Sequence, residues 1–392
     1  MPDDNANILD PKRGTNQSGL RDLNARLVLS YLRRHGALPS AEIARRSGLS
    51  AQTVSNIVRA LEGDGLLRRE AAVKGKVGKP SVPMALDPNG VFSLGLNIGR
   101  RSAELVLVDF HGNRIDTDVV AYELPTIEGV FAFLTQGVDA LLKRHPNAVG
   151  RIAGLGVARP GRIWEWLEVA HAAPGAMDNW RDLDLSAAVR EATGFEAFIE
   201  NDATSACVAE HMLGRGREFR DFVYVFVGTF VGGGLVLDEK VLSGKTLNAA
   251  ALGPLPVPDG NGGARQLLEV ASLYTLEAAL RENGIETDVL WNDKNDWDEL
   301  DHLVAPWVAE TGRNLAIAAL AIASVVEVEA VLIDGALPPN VRTRLVNRIQ
   351  AELTQLDVTG LEDLRVEAAE VGRHARSIGA ALLPIHALYF LA

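Results

Sequence analysis

Two groups of residues in this chain of 392 could do chemistry. The first lies in "LGLNIGRRSAELVLVDFHGN", residues 94–113. It reads as a strand, a glycine turn, a second strand and a hairpin turn. A phosphate-cradling hairpin begins this way, because backbone N–H groups reach an anion only where side chains are small. Arg100 and Arg101 stand in the turn. Either it holds a nucleotide or it is the remnant of a turn that did, and the stretch leaves both open. A second glycine-flanked turn, "GTFVGGG" at 228–234, joins two more strands; a tight turn needs glycine with or without a ligand. The second group lies near the start. Gln52, Thr53, Ser55, Asn56 and Arg59 face outward from a short helix. Gln and Asn can bond adenine edges in a pair, and Ser and Thr reach bases or phosphates. Lys74, Lys76 and Lys79, set among glycines, suit phosphate or minor-groove contact.

The elements that must position these residues follow from periodicity. "DLNARLVLSYLRRHG" places Leu23, Leu27, Val28 and Leu32 on one helical face, and Gly36 ends it. Ser40 is expected to cap a short helix carrying Ile43 and Ala44 inward. "SGLS" is a tight turn. Ser50 caps a second helix with Val54, Ile57, Val58 and Leu61 inward. "GDGLLRRE" starts a strand and "MAL" returns as another, which makes a winged helix-turn-helix. Its charge fits: residues 21–82 hold 12 Lys/Arg against 5 Asp/Glu, although the whole chain carries −12. A local basic footprint is the electrostatic signature of nucleic-acid binding. The residues after it hold 25 basic against 43 acidic side chains, a balance that disfavours an anionic ligand.

After Pro88 strands and helices alternate. "FSLGLNI", "AELVLVDF" and "RIDTDVVAYEL" read as three strands, and "RIAGLGVA", "EAFIE", "FVYVFVG", "VGGGLVL" and "AVLIDGAL" as others. "IEGVFAFLTQGVDALLKRH", "DLSAAVREATG", "ATSACVAEHMLGRG", "APWVAETGRNLAIAALAIASVVE" and "ARSIGAALLPIHALYFL" read as helices. Two α/β lobes, each opening on a β-hairpin, are expected. The start, 1–20, is polar and reads as a disordered arm. No apolar run reaches the roughly 18–20 residues of a membrane span. A single cysteine, Cys207, excludes internal disulfides and thiolate-rich zinc sites and fits the cytoplasm.

"GVARPGR" (156–162), "ENDATSACVAEH" (200–211) and "VGTFVGGGLVLDEKVLSG" (227–244) resemble the ROK family of sugar kinases and sugar-responsive repressors. The resemblance runs from about Asn24 to the last helix. It implies an actin-like ATPase fold, a sugar-kinase-like body of two lobes with a cleft between them. The winged module in front is similar to that of xylose-repressor-type regulators. The expected divisions are the arm at 1–20, the winged helix-turn-helix at 21–88 and the kinase-like body at 89–392.

Family kinases carry an acidic residue and a Gly-Gly-Thr turn in the first hairpin; here stand Asn97, Ile98, Gly99, Arg100 and Arg101. By resemblance the first loop is a decayed phosphate site, ATP binding is not expected, and the chain is not an enzyme. Asp202 matches the family's general base, though as a helix N-cap it would serve structure alone. Asn201 and Glu269 match sugar-contacting positions, and Gly161 lies in the "PG" turn. Ala251 and Pro254 stand where the family has a sugar-binding Glu and a His that also ligates zinc; with no cysteine at 259–266, no metal and no cofactor are expected. Trp164, Trp166, His171 and Trp180 lie in segments that flank the family's cleft. The expected function is a transcriptional regulator, a repressor that binds double-stranded operator DNA as a homodimer or homotetramer and senses a sugar or related effector. A sugar kinase with an appended DNA-binding domain and a ligand-independent repressor are the alternatives.

Overall fold

The structure, a computed structural model, describes residues 17–72, 81–165, 175–291 and 296–391. Helix α1 (Gln17–His35) begins inside the stretch expected to be an arm; residues 1–16 lie outside the described residues. Strand β1 (Leu38–Pro39) leads into α2 (Ser40–Ser47), then α3 (Ala51–Gly63), β2 (Leu67–Arg69) and β3 (Pro83–Leu86). Ser40 does not cap α2. The cap position is Pro39, and Ser40 is already helical. Ser50 does cap α3, its Oγ accepting the Thr53 N–H at 3.1 Å. The expected inward face of α3, Val54, Ile57, Val58 and Leu61, is buried. The three strands pair antiparallel in the order β1-β3-β2 and make the wing. Its lysines, Lys74, Lys76 and Lys79, lie outside the described residues.

The body is the actin-like, sugar-kinase-like fold of two lobes. The first lobe holds β4 (Phe92–Ile98), β5 (Ser102–Asp109), β6 (Arg114–Ala121), α4 (Ile127–Arg144), β7 (Ile152–Arg159), α5 (Asn179–Asp182), α6 (Leu185–Thr193) and β8 (Ala197–Asn201). Its sheet runs β6-β5-β4-β7-β8, with β4, β7 and β8 parallel. After α7 (Asp202–Leu213) the second lobe begins with β9 (Phe222–Val227), β10 (Val231–Leu237) and β11 (Lys240–Val241). A small hairpin, β12 (Pro256–Pro258) and β13 (Ala264–Gln266), and helix α8 (Leu273–Glu282) follow. Then come α9 (Asp301–Ala323), β14 (Ala330–Gly335), α10 (Pro339–Leu353), β15 (Arg365–Ala368) and α11 (Ala375–Tyr389). The second sheet runs β11-β10-β9-β14-β15. Each lobe opens on an antiparallel hairpin, β4–β5 and β9–β10.

Helices α7 and α11 pack against each other between the two sheets, α11 on β4, β5 and β7, α7 on β10. Glycine makes this closeness possible. A β-carbon at Gly379 of α11 would lie 1.7 Å from the Ser205 carbonyl oxygen of α7, and one at Gly156 of β7 would lie 1.8 Å from the Ala380 carbonyl oxygen. The apolar residues of α7 and α11 belong to one buried cluster with those of α1, α2 and α3. Hence the winged unit and the helix pair share a core.

Candidate functional site

On α3, Gln52, Asn56 and Arg59 are exposed, and Thr53 and Ser55 are half-buried. Thr53 is tied into the helix start, its hydroxyl 2.8 Å from Ser50 Oγ. Gln52 Nε2 donates to Asn56 Oδ1 at 3.2 Å, which holds the two amides side by side on the open face. Arg59 follows one turn on. Such a row of polar side chains, on the second helix of the motif, is what base-edge and phosphate contact requires.

The second site is the cleft between the lobes. A cavity of about 250 Å³ is lined from the first lobe by Arg100, Gly161, Arg162 and Asn201, from α7 by Asp202 and Ala203, from the second lobe by Thr229, Phe230 and the glycines of β10, and from α11 by Arg376. A neighbouring cavity of about 360 Å³ shares Gly161, Arg162, Asn201 and Asn248 and adds Arg159, Trp164 and Glu200. Three non-glycine residues in the walls of the two cavities, Arg162, Leu247 and Ala250, have left-handed backbones with φ of 46°, 54° and 51°. Strain of this kind collects where a fold holds a ligand clamp.

The start of α7 organises the cavity floor. Asn201, rather than Asp202, is the N-cap: its Oδ1 accepts the N–H groups of Ala203 at 3.0 Å and Thr204 at 3.2 Å. Asp202 is the first helical residue, which leaves its carboxylate to the cavity. Its Oδ2 lies 3.5 Å from Arg376 Nη1. Glu200 is buried and accepts the Asn201 N–H at 2.8 Å and the Ser243 hydroxyl. Burial pushes its carboxyl up, against those two hydrogen bonds.

The two glycine turns face one another and are clasped. The Arg100 guanidinium, from the β4–β5 turn, sits 4.2 Å over the ring of Phe230, from the β9–β10 turn. Arg101 Nη2 reaches Glu277 of α8 at 3.0 Å, where that carboxylate is almost fully buried. Burial pulls the Arg100 guanidinium down to about 10; Asp202 opposes this and Arg376 adds to it. Both arginines thus bridge the lobes through the space between the turns.

Of the residues expected at a ligand, Gly161, Asn201 and Asp202 come together at the cavity, and Ala251 and Pro254 line it too. Glu269 does not. It ends a single 3-10 turn, is exposed, and is absent from the lining, although Leu268 beside it is present. Trp164 lines the neighbouring cavity. Trp180 is core, its indole N–H donating to the Pro125 carbonyl at 2.7 Å. Trp166 and His171 lie outside the described residues. Arg376 was not expected: it is 174 positions from Asp202, and nothing local in the sequence marks it. Among the described residues no group of three or more His, Cys, Asp or Glu side chains is placed to hold a metal ion, and no helix is long and apolar enough to cross a membrane.

The cleft and the winged unit are joined by helix ends. α7 starts at Asp202 in the cleft, and α11 starts one residue before Arg376. At their far ends lie His211, His386 and Phe390. Arg33 of α1 stacks 4.7 Å over the Phe390 ring, and the Leu391 N–H donates to Ser30 Oγ at 2.9 Å. A turn at Asp238 and Glu239, both with positive φ, offers Glu239 to Arg34 in a two-pronged ion pair at 3.0 Å. At this seam burial, together with Arg33, His211 and Arg26, pulls the His386 imidazole down to about 4.

Comparison with known proteins places these features in a family. Residues 93–387 match the ROK family and residues 18–76 the MarR family. An uncharacterized protein of Sinorhizobium fredii, y4fQ, is 25% identical over 94% of this chain and 92% of its own. The xylose repressor of Bacillus spizizenii is 24% identical over 67% of this chain and 68% of its own. The crystal structure of a ROK family transcriptional regulator, a homolog of the E. coli MLC protein, superposes with a TM-score of 0.71 at 21% identity, over 94% of this chain and 97% of that one.

Proposed function

The chain belongs to the ROK family, and on that premise we propose that it is a DNA-binding transcriptional repressor whose kinase-like body senses a small sugar-type ligand. One observation carries the reading: α7 and α11 both begin in the cleft and pack along each other, and the far end of α11 meets α1 of the winged unit. A ligand seated on Asn201 and Asp202 pushes on α7, which packs along α11, the helix that seats the DNA reader. A coupling of about 1–3 kcal/mol through them changes operator occupancy about 5–150-fold. The repressor names among the relatives and the match to the MarR family over the winged residues support the DNA-binding half.

The body acts as a sensor and not as a kinase. Backbone approach to a nucleotide phosphate needs an open glycine turn, and Arg100 and Arg101 span that space to Phe230 and Glu277. Asp202 keeps the position of a hydroxyl-binding carboxylate, but its partner is Arg376. We divide the chain into a winged unit ending near residue 88 and a body from residue 89. We place it in the cytoplasm as a homodimer or homotetramer, with two α3 helices in major grooves one DNA turn apart, about 34–36 Å.

The test is a fluorescence-anisotropy titration of the full chain against DNA from upstream of its own gene, with and without a pool of monosaccharides. Competitor-resistant binding that shifts with the pool is the expected result. Absence of sequence-specific binding, or sugar phosphorylation that depends on Asp202, overturns the proposal.

A further inference from the structure

We infer that the cleft takes an anionic ligand, a monosaccharide bearing a phosphate or carboxylate group, gripped by Arg100, Arg159, Arg162 and Arg376. This rests on the ligand-sensing reading above and narrows its ligand class. Among the described residues, four guanidinium groups line the two adjoining cavities, against two carboxylates, Asp202 and Glu200. The body's excess of acidic residues is therefore not repeated in the described lining of the cleft, where arginines outnumber carboxylates. Of the two carboxylates, Asp202 is countered by Arg376, and burial shifts Glu200 toward its neutral form.

The arginines are also built in. Arg100 stacks on Phe230 and Arg376 lies 4.9 Å over Phe226, so both planes are fixed before a ligand arrives. A stacked guanidinium keeps its N–H donors in its own plane, the geometry that phosphate and carboxylate oxygens match in pairs. Arg376 Nε and Arg159 Nη1 are buried and, among the described residues, have no hydrogen-bond partner. The amino end of α7, a 12-residue helix, opens on the same cavity and adds its positive dipole end. Asp202 and Asn248 line the cavity as well and can bond the hydroxyl groups of the same ligand.

The experiment is calorimetric titration of the full chain with matched probes: glucose, glucose 6-phosphate, glucuronate and inorganic phosphate, then the same three forms of mannose. The expected result is that a phosphorylated or acidic sugar binds about ten-fold or more tighter than its neutral parent, with affinity falling as salt rises. Arg376→Gln and Arg162→Gln should each reduce that preference. Arg162 is exposed, so the second variant keeps the test alive if the first fails to fold. The phosphate and carboxylate arms tell which anion is meant. Neutral sugars binding as tightly as the charged forms, a preference surviving both substitutions, or no binding by any probe overturns the inference. A neutral sugar that shifts DNA affinity sinks this inference and leaves the sensor reading standing. An anionic sugar that binds without moving DNA affinity supports this inference and sinks the sensor reading.

Discussion

Gly379→Ala tests whether the α7–α11 pair is the mechanical centre of the molecule. The added β-carbon would stand 1.7 Å from the Ser205 carbonyl oxygen, 2.4 Å from its carbon and 3.3 Å from the Ala206 nitrogen. Ordinary contact begins at about 3.5 Å, so the helices must part by about 2 Å. Both obstacles are backbone, which cannot swing aside as a side chain can. A gap of even half that width forfeits a quarter to a half of each dispersion contact, and α7 and α11 share a long seam. The expected loss is about 4 kcal/mol or more, most of the margin of a marginally stable domain. Urea unfolding followed by circular dichroism reads this as a lower midpoint at unchanged slope. Gly63→Ala is the control: at the end of α3 nothing lies within 4 Å of its added carbon, and it should be neutral or stabilise by about 0.4–1 kcal/mol. If Gly379→Ala unfolds at the parent midpoint, the close-contact argument is wrong, and with it the reason to treat this pair as rigid.

Acid should loosen the winged unit. His386 has a depressed folded value near 4 against an ordinary 6.5, so the unfolded chain binds the extra proton first. Stability is full above about pH 6.5 and falls as pH drops toward 4, by up to about 3 kcal/mol, and His386→Gln should flatten that limb of a stability–pH curve. Asp334 is fully buried and accepts hydrogen bonds from Tyr224 Oη at 2.8 Å, Arg342 Nη1 at 2.7 Å and Gly372 N–H at 3.0 Å. Asp334→Asn leaves Arg342 uncompensated and should cost about 3–5 kcal/mol in denaturant melts; a change under 1 kcal/mol contradicts the reading. On DNA, Gln52→Ala or Asn56→Ala should relax sequence preference. Arg59→Ala should weaken all sequences and lower the salt slope by about one, read by anisotropy at several ionic strengths.

Where one face of an element is buried, sequence period and structure coincide. The spacing of Val54, Ile57, Val58 and Leu61 marks α3, and the apolar runs of β4, β7, β9 and β14 mark central strands. Helix α10 also carries a legible stripe, Val341, Leu345 and Ile349. Strand β1 and the β12–β13 hairpin do not: two or three residues give no period, and their pairing is set by tertiary contact. The cleft was legible only in its local pieces. "ENDA" shows a helix start, but whether Asn201 or Asp202 caps depends on one backbone angle pair that composition does not fix. Glu269 sits next to a lining residue in sequence yet faces away, because one step along a 3-10 turn rotates a side chain by a third of a circle. Arg376 enters by the fold alone.

The seat of α1 also orders events in time. Ser30 and Leu391, joined by one hydrogen bond, are 361 positions apart. At roughly 5–20 residues per second, the DNA reader leaves the ribosome on the order of 20–70 s before its seat exists. A chain interrupted anywhere in the body carries the reader without Phe390 beneath Arg33. The contact thus couples the DNA reader to synthesis of the whole sensor. A chain ending at residue 385 should show this as faster proteolytic release of the winged unit, and equal release rates would refute it.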